Sequence, residues 1–258
     1  MEKMNRYKKI GVQAALKSGI FIKKSVGNIG KVSYKGSDNI VTDIDKKSES
    51  IIIKHILSAF PGHSILSEES RPIKTRSPYR WIIDPIDGTT NFAHAFPFFA
   101  VSIALEKEGR IIMGVVYDPM RDEIFYAEKG RGARLNGKKI RVSKMGRLVG
   151  SFLATGFSYG LKNREGNVGN FIKFLKHTMA IRRAGSAALD LCYVACGRFD
   201  GFWELDLYPW DSAAGMLITR EAGGVVTKFD GSPYSPYDRN ILATNGLIHK
   251  EMVKVLSD

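Results

Sequence analysis

The sequence predicts a mixed α and β fold whose organisation changes part-way along the chain. Up to residue 146, two helical segments are followed by short strands separated by tight turns, which is typical of an α+β subdomain with an antiparallel sheet. From residue 147 to 258, strands and helices alternate, which indicates an α/β subdomain. A chain of 258 residues is long enough for such a two-part core.

The elements of the first part follow from the spacing of its apolar residues. Amphipathic helices are predicted at 7–24 and 46–59, where apolar residues recur at helical intervals. The strands after them are separated by turns rich in Gly, Pro and Asp. They are predicted at residues 64–66, 81–83, 98–106, 111–117 and 123–128. Asn136-Gly137 predicts a two-residue hairpin turn.

The second part alternates between the two periodicities. Strands are predicted near 151–155, 180–183, 199–203 and 224–228, and helices near 167–177, 186–196, 210–222 and 246–256. Gly223-Gly224 follows the third of these helices and would stop it. Asp211 stands at the start of the same helix, where it is expected to act as the N-cap.

The composition narrows the class of protein. The chain has 39 Lys and Arg against 26 Asp and Glu, so its net charge is +13, a field that attracts phosphorylated molecules, nucleic acid or an acidic membrane. With only Cys192 and Cys196, a disulfide-stapled secreted domain is excluded. The first twenty residues lack a signal-peptide core, and no apolar run reaches the ~18 residues of a membrane span. A soluble cytoplasmic protein is therefore expected.

The strongest chemical signal is the segment Trp81–Phe92, WIIDPIDGTTNF. An apolar strand brings Asp84 to its carboxyl end, where Pro85 removes a backbone donor and interrupts the ladder. Asp87 follows on a tight turn, and the next residues open a short helix whose free N–H groups favour an anion. Two carboxylates beside an anion site predict a centre for Mg²⁺ and a phosphate group.

Several motifs together resemble the inositol monophosphatase family of Mg²⁺-dependent, lithium-sensitive phosphatases. They are Val41–Asp45, Ser67–Ser70, Trp81–Phe92, Trp210–Gly215 and Glu221–Gly224, and the resemblance covers nearly the whole chain. It implies a layered αβαβα sandwich, a homodimer, and hydrolysis of myo-inositol 1-phosphate or a related sugar phosphate by a metal-activated water. Fructose 1,6-bisphosphate and 3′-phosphoadenosine 5′-phosphate stay open as substrates, because the metal residues would be similar for all three.

The same resemblance implies a role for individual residues. Two or three Mg²⁺ ions would be held by Glu68, Asp84, the Ile86 carbonyl, Asp87 and Asp211, with Asp84 bridging. Thr89, supported by Asp45 and with Glu68 nearby, would orient the attacking water. The phosphate and the hydroxyl-bearing part of the substrate would contact Gly88, Thr89, Gly185, Ser186, Ala187 and Glu204. Most metal ligands would thus lie in 1–146, and Asp211 and most substrate contacts in 147–258.

A basic segment, residues 129–147, supports a rival hypothesis. It holds eight Lys and Arg and no acidic residue: Lys129, Arg131, Arg134, Lys138, Lys139, Arg141, Lys144 and Arg147. Such a segment is either a solvated hairpin face or a surface for a nucleic-acid backbone. It contains no aromatic residue on which a base would stack. The alternative function is therefore an RNA-binding regulatory protein that retains the phosphatase fold.

Three weaker motifs point to other enzyme classes and are not favoured. Gly156–Gly160 matches the G-x-S-x-G elbow of serine hydrolases, but no clear helix follows it. Gly132–Lys139 approaches a P-loop, yet ends in Lys and contains the Asn-Gly hairpin signal. Asp84–Thr89 has one residue too many for the aspartyl-phosphate motif of haloacid dehalogenase-type phosphatases.

Overall fold

A computed structural model describes residues 2–28, 30, 32–35, 39–157 and 165–257 of the chain. Its helices are α1 (Glu2–Ser25), α2 (Asp43–Ala59), α3 (Thr89–Ala93), α4 (Glu165–Leu175), α5 (Ala187–Ala195), α6 (Pro209–Glu221) and α7 (His249–Ser257). Its strands are β1 (Val32–Lys35), β2 (Asn39–Thr42), β3 (Ser64–Ser67), β4 (Tyr79–Asp87), β5 (Ala100–Lys107), β6 (Arg110–Asp118), β7 (Glu123–Glu128), β8 (Ala133–Leu135), β9 (Lys138–Lys139), β10 (Phe152–Thr155), β11 (Ala180–Arg182), β12 (Gly201–Leu205), β13 (Val225–Thr227) and β14 (Asn240–Thr244).

The strands of each part of the chain form a separate sheet. The first sheet has the order β3-β4-β5-β6-β7-β8-β9 and is antiparallel except for the β3–β4 pair. The second has the order β11-β10-β12-β14-β13, with β10 parallel to both of its neighbours and β14 antiparallel to β12 and β13. β1 and β2 pair as an antiparallel ribbon.

The elements stack as α/β/α/β/α, so the predicted layered sandwich is confirmed. α1 and α2 pack on the outer face of the first sheet, α5 and α6 lie between the sheets, and α4 and α7 cover the outer face of the second. Strand alternation divides the side chains accordingly. Trp81 and Ile83 enter the outer core beneath α1 and α2, whereas Ile82 enters the central core.

Several predicted boundaries are corrected by local hydrogen bonding. α2 begins at Asp43 rather than at residue 46, because Thr42 caps it and the Asp45 carboxylate accepts the Thr42 N–H at 2.8 Å, closing a capping box. The N-cap of α6 is Tyr208, not Asp211, because Pro209 occupies the first helical position. Asp211 lies three residues inside and accepts the Tyr208 N–H at 2.7 Å.

Strand and helix ends differ elsewhere too. α1 begins at Glu2 rather than at residue 7, and β4 runs on to Asp87 through an irregularity after Asp84 rather than ending at Asp84-Pro85. The sequence analysis did not predict β14, a five-residue strand with three apolar residues at its centre that follows many turn residues, nor the β1–β2 ribbon. The Asn136-Gly137 turn between β8 and β9 is confirmed, with φ of 48° and 80°.

The remaining organisational predictions concern domains and membranes. The predicted division at residue 146/147 falls in the extended segment between β9 and the 3-10 turn Leu148–Gly150, and it stays a prediction. Among the helices of the described residues, none combines the length and the apolar character that crossing a membrane requires.

Candidate active site

Three aspartates from two distant parts of the chain meet at one end of the central layer. Carboxylate oxygens of Asp84, Asp87 and Asp211 all lie within 4.8 Å of one another. Asp84 and Asp87 stand at the end of β4, and Asp211 in the first turn of α6. They face a cleft of about 80 Å³. Its lining residues are Glu68, Asp84, Ile86, Asp87, Gly88, Thr89, Gly156, Phe157, Arg183, Gly185, Ser186, Ala187, Glu204, Leu207 and Asp211.

The N-terminus of α5 orients the Asp87 carboxylate. Its Oδ2 accepts a hydrogen bond from Ser186 Oγ at 2.6 Å and another from the Ala188 N–H at 2.7 Å. Ser186 is the N-cap of α5. A carboxylate at a helix N-terminus is stabilised by the helix dipole and the free N–H groups. These hydrogen bonds join the end of β4 to the N-terminus of α5, which lies about 100 residues further along the chain.

The electrostatics of the three aspartates favour either protonation or a positive partner. Burial raises the pKa of Asp84, and repulsion from Glu68, Asp87 and Asp211 raises it further. Burial, then Asp87 and Glu68, raises the pKa of Asp211 in the same way. Burial also raises the pKa of Asp87 to about 6. Hard carboxylate oxygens so close together fit a divalent cation, which would remove the repulsion that otherwise favours their protonation.

Glu68 lies beside this cluster in the same cleft, at the end of β3. Its N–H donates to the Ile83 carbonyl at 3.3 Å, which holds it next to β4. Glu49 of α2 supports the loop from behind: its Oε2 accepts from Ser67 Oγ and, at 2.8 Å, from the Glu69 N–H. Glu49 is buried and one helical turn after Asp45. The sequence reasoning missed Glu49, whose only signal was that spacing.

Thr89, which also lines the cleft, forms a buried hydrogen-bonded pair with Asp45. Thr89 Oγ1 donates to Asp45 Oδ1 at 2.9 Å and lies 3.1 Å from the Ile86 carbonyl oxygen. The other Asp45 oxygen accepts from the Thr42 N–H and hydroxyl. Burial raises the pKa of Asp45, and its hydrogen bonds from Thr42 and Thr89 oppose part of that rise. One face of α2 therefore supports Thr89 through Asp45 and the residues on either side of Glu68 through Glu49.

Gly88 lets the two halves of the cleft approach closely. Its φ is 99°, and a Cβ there would lie 3.1 Å from the carbonyl oxygens of both Gly185 and Phe98. Asn91 closes the same contact, because its Nδ2 donates to the Phe98 carbonyl at 2.7 Å and to the Ala184 carbonyl at 2.8 Å. A side chain at position 88 would therefore be both strained and obstructed.

Comparison with known proteins decides the family. The model of the inositol monophosphatase family matches residues 3–258. The chain belongs to the inositol monophosphatase family. It is 46% identical over 253 residues to the Nus factor SuhB of Escherichia coli K12, covering 96% of this chain and 95% of that one.

Two further relatives support this membership. The inositol-1-monophosphatase of Mesorhizobium japonicum is 43% identical over 252 residues, covering 95% of this chain and 94% of the relative. The crystal structure of the extragenic suppressor protein SuhB from Bartonella henselae superimposes with a TM-score of 0.95 at 43% identity, covering 98% of this chain and 99% of that one. Membership in the inositol monophosphatase family supports phosphatase activity and, with the acidic cluster, metal binding.

In this member of the inositol monophosphatase family, residues from the second half of the chain form the wall of the cleft that faces the aspartates. Gly185, Ser186, Ala187 and Glu204, all predicted from the resemblance, line it together with Phe157, Arg183 and Leu207, which were not predicted. Glu204 is buried, and burial followed by the charge of Asp87 raises its pKa to about 8, against the influence of Arg183. The Ser158 of the G-x-S-x-G motif lies outside the described residues.

Proposed function

We propose that this protein is a Mg²⁺-dependent phosphomonoesterase that hydrolyses myo-inositol 1-phosphate and related sugar phosphates to the free polyol and phosphate. The observation that carries the proposal is the meeting of Asp84, Asp87 and Asp211 in a cleft that also contains Glu68 and Thr89. Family membership supports the phosphatase class, and the relative named inositol-1-monophosphatase supports the substrate.

The metal would be held by the acidic end of the cleft. The ligands would be Glu68, Asp84, the Ile86 carbonyl, Asp87 and Asp211, with Asp84 shared between two ions. Bound Mg²⁺ would lower the pKa of water and neutralise the phosphate in an in-line displacement. By holding Asp87 through Ser186 and the Ala188 N–H, the chain limits how far that carboxylate can turn from the other two.

Thr89 would orient the attacking water. Because its hydroxyl proton is directed to Asp45, a lone pair of Oγ1 is left free to accept a hydrogen bond from water in the cleft. Asp45 is buried and its pKa is raised, so it is a better proton acceptor than an exposed carboxylate. The Gly88 and Thr89 N–H groups would meet the phosphate, and Gly185, Ser186, Ala187 and Glu204 the polyol.

Phosphate release tests the proposal directly. The substrates are inositol 1-phosphate, fructose 1,6-bisphosphate and 3′-phosphoadenosine 5′-phosphate, each with Mg²⁺, with EDTA and with added Li⁺. We expect release from inositol 1-phosphate that EDTA abolishes and that Asp211→Asn lowers at least ~100-fold. A higher rate on one of the other two substrates would change the proposed substrate but leave the assignment as a phosphatase intact. No release by folded, Mg²⁺-loaded protein would refute the class.

Two properties implied by the family stay proposals. We infer that Li⁺ inhibits the reaction, which the added-Li⁺ arm of the same assay measures. We also infer a homodimer, which sedimentation velocity of the full chain tests. A single species at the mass of one chain would refute the second.

Nucleic-acid binding is the second candidate function, and the exposure of the basic segment favours it. Of its eight basic residues, all but Arg134 are exposed. A relative bears the name Nus factor, which supports a regulatory role besides catalysis. Contacts to an RNA backbone would be electrostatic and would weaken steeply with salt.

Fluorescence anisotropy with single-stranded RNA separates this candidate from catalysis. Binding through the basic segment should survive Asp211→Asn and fall in the double variant Lys138→Glu, Lys139→Glu. The double variant Lys250→Glu, Lys254→Glu on α7 is the matched control for a change of the same net charge at exposed lysines. Undetectable binding at low salt, or equal loss in both charge-reversal variants, would refute a specific RNA surface.

A further inference from the structure

A buried group of hydrogen bonds, which we name the Asn167 clamp, lies behind the wall of the cleft. Asn167 of α4 donates from Nδ2 to the Gly156 carbonyl and, at 3.1 Å, to Thr155 Oγ1. Its Oδ1 accepts from Trp203 Nε1 at 2.8 Å. Thr155 Oγ1 in turn donates to the Trp203 carbonyl at 2.7 Å. The side chains of Thr155, Asn167 and Trp203 are 0–1% exposed.

The clamp acts from the face of the sheet that is turned away from the cleft. Trp203 of β12 belongs to the outer core, where its ring lies 4.2 Å from that of Phe174 on α4. Phe202 belongs to the central core. Because side chains alternate along a strand, Glu204 points to the central side, where it lines the cleft. Asn167 is thus separated from the cleft by the sheet itself.

Gly156 connects the clamp to Glu204. A Cβ added at Gly156 would lie 2.1 Å from Glu204 Oε1 and 2.3 Å from its carboxyl carbon. The carboxyl group therefore rests directly on the Gly156 backbone. The clamp holds that backbone through its carbonyl, and it holds β12 through Trp203, the residue before Glu204. Both supports of the Glu204 carboxyl group thus converge on one amide side chain.

We propose that Asn167 is a positioning residue for polyol recognition, which acts by fixing the Gly156 backbone and Trp203 and thereby the place of the Glu204 carboxyl group. The proposal rests on the proposed function, since it takes the cleft to receive a phosphate ester whose leaving group meets Glu204. Hydrogen bonds weaken steeply when their geometry is lost, so a small displacement of the carboxyl group should weaken polyol binding. The aspartates belong to β4 and α6, so binding of the phosphate end should be unaffected.

Steady-state kinetics on two substrates test this role. Inositol 1-phosphate has hydroxyl groups for Glu204, whereas the nitrophenyl group of p-nitrophenyl phosphate has none. Asn167→Asp replaces the donating amide by a carboxylate, and Gly156→Ala leaves the clamp's polar groups in place while displacing Glu204. For both variants we expect a ~10-fold higher KM for inositol 1-phosphate, kcat within ~3-fold, and a KM for p-nitrophenyl phosphate within ~2-fold.

The controls distinguish positioning from general destabilisation. Gly169→Ala on α4 is the matched control, because a Cβ there has no atom within 4 Å, and it should behave as wild type. In a Glu204→Gln background, adding Gly156→Ala should change the KM for inositol 1-phosphate little further, since both act on the same group. Thermal unfolding shows whether each variant is folded, and if Asn167→Asp is not, Gly156→Ala decides.

Each outcome settles a separate question. Loss confined to inositol 1-phosphate, and absent in the Glu204→Gln background, supports the positioning role. Equal loss on both substrates, or a Gly156→Ala variant that matches Gly169→Ala, overturns it while the phosphatase stands. Wild-type protein that releases phosphate from neither substrate overturns the proposed function, and the positioning role falls with it.

Discussion

The substitution Asp87→Asn tests whether the three aspartates bind a cation or are simply a group of buried acids. The Asp87 carboxylate is buried among other acidic groups. Burial raises its pKa to about 6 from the ordinary 3.8, while hydrogen bonds from Ser186 and Ala188 oppose part of the rise. An acid whose pKa is raised on folding destabilises the folded state wherever it is ionised. Neutral Asn should therefore stabilise the protein when metal is absent.

The size of the gain follows from that shift. The two pKa values differ by about two units, which corresponds to ~3 kcal/mol of unfolding free energy. Asn keeps an oxygen for Ser186 and Ala188, but these bonds become neutral and lose about 1 kcal/mol in total. The net gain is ~1–3 kcal/mol, or several degrees in Tm for a chain of this size. It should be complete above pH about 6 and vanish below about 4, where Asp87 is protonated in both states.

The assay is thermal unfolding with EDTA and with Mg²⁺, paired with phosphate release. Mg²⁺ should raise the Tm of the wild type by binding the folded state, and Asp87→Asn should lose most of that rise and at least ~100-fold in kcat. Asp118→Asn is the matched control: Asp118 is buried, but pairs with Arg121 at 3.0 Å and lies outside the cleft. It should lower Tm equally in both conditions. An Asp87→Asn variant that is destabilised in EDTA and still stabilised by Mg²⁺ would refute the reasoning.

Three other substitutions test single contacts. Thr89→Ala should lower kcat ~100-fold while the Mg²⁺-induced rise in Tm persists. Thr89→Ser should keep most of the rate, because serine retains the hydroxyl group. Equal rates in the two variants would contradict the role of that hydroxyl group. Gly88→Ala should lower the free energy of unfolding by ~1–3 kcal/mol and remove most of the activity, since φ is 99° and the added Cβ would meet the Gly185 carbonyl oxygen. An unchanged midpoint in denaturant unfolding would refute this. Gly137→Ala, at φ 80° in the exposed hairpin turn, should cost ~1 kcal/mol and leave kcat unchanged, which the same two measurements check.

The acidic segment of the cleft was accessible to sequence reasoning because its parts are neighbours in the chain. An apolar strand, Asp84, a proline and Asp87 follow one another within seven residues, and strand ends expose side chains at a sheet edge. Asp211 was recognised as a helix-start residue, although it lies inside the first turn rather than at the cap. Asp211 lies close to Asp84 because α6 packs against β4 and β5. No local sequence pattern predicts that packing.

The supporting residues were not accessible in this way. Glu49 accepts its hydrogen bonds from residues 18 and 20 positions away. Asn167 donates to residues 11 and 12 positions away and accepts from a residue 36 positions away. A polar residue on an amphipathic helix is expected to be exposed to solvent. The residues next to it in the sequence do not show that it has a buried hydrogen-bond partner. β14 was missed for a related reason, since its three consecutive apolar residues are too few to show a period.

By itself the sequence determined the types of layers, the order of most elements and the placing of Asp84 and Asp87 together at the end of a strand, because these depend on periodicities and turns within a few residues. The wider set of metal ligands was expected only from the family resemblance. Only the tertiary structure decided that Asp87 is held by the N-terminus of α5, that Gly88 admits the Gly185 loop, and that Glu204 rests on Gly156. Those contacts join segments about 50 to 100 residues apart. Their geometry follows from the packing of two sheets around α5 and α6, which is a property of the whole chain rather than of any local segment.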